Sequence, residues 1–152
     1  MRKLAIYAAT VVTLGCLLAG ESLAQPGLRY GGSGGWGAGG KYGRAYDPMT
    51  VETVKGEVVA VSKITPMQGM SYGVHLALNT GKETLSIHLG PGWYIEHQDV
   101  KIEPKDMIEV KGSRTTFAGK PSIIAAEVRK GDETLKLRDE AGFPVWAGWR
   151  RR

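Results

Sequence analysis

Tyr72-Gly73-Val74-His75-Leu76-Ala77-Leu78-Asn79-Thr80-Gly81-Lys82-Glu83-Thr84-Leu85-Ser86-Ile87-His88-Leu89 is the stretch that decides the fold. Val74, Leu76 and Leu78 share one parity, and His75, Ala77 and Asn79 share the other. After Asn79-Thr80-Gly81-Lys82 the alternation resumes, with Leu85, Ile87 and Leu89 against Thr84, Ser86 and His88. Successive side chains of a strand point to opposite faces, so two period-two runs around a turn signal predict an antiparallel hairpin. Its strands are Tyr72–Asn79 and Glu83–Leu89, with the aliphatic side chains inward and the polar ones outward. If Gly81-Lys82 is the loop, His75 and His88 face each other directly; a Thr80-Gly81 loop slips them apart by two.

Upstream, Val51 to Ile64 reads as one long strand with Val54, Val58, Ala60 and Ile64 inward, and Gly56 permits it to coil. Downstream, Gly90-Pro91-Gly92 stops the third strand, and Trp93 to Gln98 suits a short helix that plugs a barrel end with Trp93 or Ile95. A fourth strand carries Ile108 and Val110 inward, with Gly112 permitting a bend. A fifth carries Ile124, Ala126 and Val128, and Leu135 to Arg138 adds a short sixth. Five strands with one helical insertion after the third predict an all-β fold. It is a small five-stranded OB-fold-like barrel spanning residues 51–139, with a short helix between strands 3 and 4 and flexible tails on either side.

The first residues specify export. Arg2 and Lys3 precede an apolar run from Leu4 to Gly20, and Ser22-Leu23-Ala24 presents small residues at the positions a signal peptidase reads. Residues 1–24 are read as a signal peptide cleaved near Ala24. No transmembrane segment is expected after processing, and the location is periplasmic or secreted. Cys16, the only cysteine, leaves with the leader unless it is lipidated, which Thr13-Leu14-Gly15-Cys16 only partly favours. The formal charge of +5 becomes +4 once Arg2, Lys3 and Glu21 are removed, and Arg150, Arg151 and Arg152 carry most of it. Residues 25–50 combine many glycines with Tyr30, Trp36, Tyr42 and Tyr46 and almost no aliphatics, a composition that predicts a disordered linker with aromatic stickers. Residues 140–152 read as an aromatic and basic C-terminal tail.

Three constellations carry chemistry. Trp93, Tyr94, Trp146, Trp149 and Arg150 are candidates for a ligand cleft at the helix-side mouth, where aromatic and Arg anchors stack on sugars or hold a peptide. The plainer alternative is that Trp93 plugs the barrel and Trp146 covers an edge strand. His75 and His88, with His97 or Glu96 as a third ligand, are candidates for a transition metal, although two secure ligands rarely suffice. The outward hairpin residues include no Phe, Tyr, Trp, Lys or Arg, which argues against single-stranded nucleic acid. No Ser-His-Asp arrangement is legible, and the glycines of 31–43 follow no strand, so neither catalysis nor a phosphate loop is expected.

The stretch from Thr50 to Gly148 resembles a family of small exported bacterial OB-fold proteins. The likeness rests on Val54-Lys55-Gly56-Glu57-Val58, His88-Leu89-Gly90-Pro91-Gly92-Trp93-Tyr94, Glu109-Val110-Lys111-Gly112-Ser113, and Leu137-Arg138-Asp139 with Gly142, Pro144 and Trp146. The same residues resemble the domain shared by the magnetosome-associated MamS and MamX proteins. Haem-bearing relatives carry Cys-x-x-Cys-His, which the mature chain lacks, so covalent haem is not implied. The function expected is that of an exported, non-enzymatic binding module of the bacterial cell envelope, with no cofactor beyond the metal alternative. Its partner is an envelope protein, a peptide or an acidic polysaccharide. The alternatives are an assembly protein acting through its tails and a metal-handling accessory protein.

Overall fold

A computed structural model describes residues 33–148; the expected leader, Trp149 and Arg150 to Arg152 lie outside the described residues. Six strands form one sheet: β1 Val51–Ile64, β2 Gly73–Asn79, β3 Thr84–Pro91, β4 Met107–Phe117, β5 Lys120–Lys130 and β6 Glu133–Lys136. A short α-helix, α1 Gly92–Ile95, stands between β3 and β4 as expected. Antiparallel pairs β1–β2, β2–β3, β1–β4 and β4–β5 are joined by a parallel β3–β5 contact, which closes five strands into a small barrel, with β6 added at the β5 edge.

The hairpin register has His75 opposite His88 and Leu76 opposite Ile87. Leu76, Leu78, Leu85, Ile87, Val110 and Val128 are buried in the resulting core. Ile124, expected inward, is buried too, but its register with His88 sets it on the other face, and Ile123 opposite Ile87 takes the inward place. Two inward assignments in β1 need correction. The pairing with β2 shifts between Val58 and Ala60, so a bulge at Val59 reverses the parity beyond it. Ala60 is exposed and Ile64 is only half-buried, while Val61, paired with Leu76, turns to the inward side but stays exposed at the barrel end. Gly56 has a steric reason to be glycine, since a Cβ there would overlap the Asn79 carbonyl.

The larger correction concerns residues 33–50, expected to be a disordered linker. Trp36, Tyr42 and Tyr46 are buried members of the core, with Trp36 at 0% exposure. Glycine-rich turns let this segment lie flat on the sheet, and the Trp36 ring occupies space that any Cβ on Gly73 would fill. The Trp36 Nε1 donates to the Ser71 carbonyl at 2.9 Å, and its ring meets Tyr42 edge-on at 4.8 Å. Large aromatic rings here supply the apolar area that the absent aliphatics do not, offsetting the ordering cost of the glycines. The C-terminal segment is likewise packed: Trp146 is 1% exposed and its Nε1 donates to the Trp36 carbonyl at 3.0 Å. The described parts of both tails therefore complete the barrel.

Candidate functional site

Beside α1 the barrel opens. A cavity of about 320 Å³ is lined by Val61, Val74, Leu76, Leu89, Ile95 and Val100 together with Ile102 and Leu135, and Glu96, Lys101 and Glu103 stand at its edge. Leu76 and Leu89 reach it because they hold the inward parity of β2 and β3. Ile95 reaches it because α1 begins at Gly92, directly after β3 ends, and turns its one buried aliphatic back over the barrel end. Val100 and Leu135 also line a second hollow of about 330 Å³, bordered by Tyr94, Gln98, Thr134 and Val145. Val100 and Ile102 were missed in the sequence because they sit in a connection without regular structure. The only signal was a pair of aliphatics two apart in an otherwise polar loop.

The proposed aromatic cleft is only partly assembled. Tyr94 and Trp146 do meet, at 5.5 Å between ring centres, and Trp93 contacts Tyr94 edge-on at 6.4 Å. Trp146, however, is a core residue and not a rim residue, and Tyr94 is buried, while Trp93 is half-buried. Ile95, not Trp93, plugs the barrel end. Trp149 and Arg150 lie outside the described residues. Sequence reading also missed Arg138, whose buried guanidinium lies 5.6 Å from the Tyr46 ring and 5.1 Å from the Trp146 ring. It donates to the Gly142 carbonyl at 2.9 Å, and among the described residues no carboxylate pairs with it. Desolvation lowers its pKa, and the nearby Tyr42 and Tyr46 hydroxyls oppose that shift. The arrangement anchors the C-terminal segment by cation–π contact.

On the opposite face of the hairpin lie His75 and His88. His88, expected outward, is 1% exposed because Tyr42 and Phe117 cover it. Its Nδ1 is 3.0 Å from the Tyr42 hydroxyl, while the His75 Nδ1 is 2.8 Å from the Ser62 hydroxyl. The two imidazole centres are 6.0 Å apart. His97 is not brought to them; its Nδ1 contacts the Trp93 carbonyl at 2.7 Å. Among the described residues no three of His, Cys, Asp and Glu gather as a metal cluster.

Burial, and then the proximity of His75, push the His88 pKa down to about 4. A histidine whose folded pKa is depressed binds fewer protons folded than unfolded between about pH 4 and its ordinary value near 6.5, so stability falls as pH drops through that window. The loss is expected to reach on the order of 3 kcal/mol at pH 4. Denaturant melts across this range should show roughly one extra proton bound by the unfolded chain, and a His88→Asn variant should lose that slope.

Residues 50–135 match the MamS/MamX magnetosome protein family. No curated protein sequence matches the chain at a significant level. That family match covers more than half of the chain and the whole closed barrel, from the start of β1 to the middle of β6. The chain therefore belongs to the MamS/MamX magnetosome protein family.

Proposed function

We propose that this chain is an exported, non-enzymatic binding module of the bacterial cell envelope, and that it holds an apolar segment of a protein partner in the mouth beside α1. The observation that carries the reading is the cavity itself. Eight aliphatic side chains from β1, β2, β3, α1, β6 and the 96–106 connection converge on it, with charged groups confined to its edge. Concave, mostly apolar sites with a few polar groups at the margin are the usual form of a binding site. Such a lining suits a peptide side chain and offers little to an acidic polysaccharide. The second hollow, which reaches Tyr94 and Val145, supports a partner that also runs along the C-terminal segment. Export is supported by the Arg2-Lys3 start, the apolar run to Gly20 and the small residues before Gln25.

A half-buried rim position separates binding from folding. Ile102→Glu introduces a charge at the edge of the mouth without emptying the barrel core. Peptides selected by display against the chain should share one bulky apolar side chain and bind this variant at least ~10-fold more weakly, since a buried unpaired charge costs more than the ~1.4 kcal/mol that factor represents. Peptides that bind Ile102→Glu as well as the unaltered chain would place the site elsewhere.

A further inference from the structure

We propose that His75 and His88 form a two-coordinate site for a soft monovalent cation, Cu(I), held between their Nε2 atoms. This site lies on the face of β2 and β3 opposite the mouth and is independent of it. Four observations converge on it.

The first is register. Direct pairing of His75 with His88 puts both rings on the same side of adjacent strands. The second is orientation. Each Nδ1 is engaged by a hydroxyl, Ser62 for His75 and Tyr42 for His88. Ser62 lies on β1, on the far side of β2 from β3, so the His75 Nδ1 is taken up on the β1 side and its Nε2 is the nitrogen left for a ligand. Fixing one ring nitrogen by a hydrogen bond is how proteins select the other as a metal ligand. The third is the His88 Nε2, a nitrogen in a side chain only 1% exposed, buried with no hydrogen-bond partner among the described residues. Buried polar atoms are nearly always satisfied, so an orphan beside a second imidazole asks for a partner. The fourth is spacing. Two imidazole nitrogens each about 2 Å from a shared ion, with an open nitrogen–metal–nitrogen angle, place the ring centres roughly 6 Å apart. The observed separation is 6.0 Å.

Charge selects the ion. Both ligands are neutral, and no carboxylate joins them among the described residues. Lys120 acts on His75 with a positive charge. A divalent ion would face a large uncompensated desolvation cost in this setting, and a monovalent ion a much smaller one. Imidazole suits copper, and the Phe117 ring, 4.8 Å from His88, keeps that side of the site dry. His75 is half-buried, which leaves an entry path.

The test is anaerobic competition for Cu(I) between the full chain and bicinchoninate, followed by its absorbance, with zinc titrated separately by calorimetry. One equivalent of Cu(I) per chain is expected to leave the chelator. His75→Ala, at the half-buried position, should weaken retention at least ~10-fold while the chain still melts cooperatively. Zinc should bind more weakly than Cu(I). The Nε2 resonance of His88 should move on Cu(I) addition while Nδ1 stays hydrogen-bonded. Failure to withdraw Cu(I) would overturn the proposal. So would unchanged retention in His75→Ala, which would place the ion elsewhere, or zinc binding as tightly as Cu(I).

Discussion

Trp36→Ala should destabilise the chain by about 3–5 kcal/mol, the cost of emptying a tryptophan site in a packed core. In a domain of this size that lowers Tm by more than about 10 °C. The residue lies in a segment whose composition alone reads as a spacer, so the outcome separates two accounts of residues 33–50. The indole is fully buried, bonds Ser71 through Nε1, packs on Tyr42 and fills the space left by Gly73. Trp36→Phe keeps most of the apolar contact but leaves the Ser71 carbonyl without its donor, so it should cost less, about 1–3 kcal/mol. Thermal melts followed by far-ultraviolet circular dichroism decide the matter. An unchanged Tm in Trp36→Ala would mean the segment is a spacer after all.

Trp146→Ala should produce a loss of similar size, about 3–5 kcal/mol, although Trp146 belongs to a segment expected to be a tail. Its ring lies 5.5 Å from the Tyr94 ring and 5.1 Å from the Arg138 guanidinium, and its Nε1 reaches the Trp36 carbonyl. Deleting residues 143–152 removes the same plug and should lower Tm at least as much. Because Trp36 and Trp146 share a contact, the double variant should be less destabilised than the sum of the singles. A deletion that leaves Tm untouched and abolishes partner binding would make the segment a binding element alone, contrary to its burial.

The barrel was legible because its signal is local. The alternation in β2 and β3 shows which face the aliphatics take, while the turn at Asn79 to Lys82 allows two registers, of which the structure has the one that sets His75 opposite His88. The position of α1 followed from Gly90-Pro91-Gly92 in the same way. The errors share one cause: they depend on contacts far apart in sequence. Nothing near Val59 announces a bulge, so strict alternation puts Ala60 and Ile64 on the wrong face. His88 looks solvent-facing by parity, and only the arrival of Tyr42 from 46 residues away buries it. Trp36 and Trp146, 110 residues apart, each sit in a segment that alone has too little apolar area to order. Together, on the barrel, they have enough. The mouth was legible as a place, from α1 and the strand ends, but not as a list. Val100 and Ile102 come from a connection whose path periodicity does not set.

Binding at the mouth is tested most directly in the living bacterium by a photoreactive side chain placed at Val100. A second chain carries the same group at the exposed Lys55 on β1 as the comparison. Irradiation should yield a discrete protein adduct from Val100, suppressed when Ile102→Glu is added, and none from Lys55. No adduct from Val100, or the same adduct from both positions, would contradict a binding module that works through this mouth.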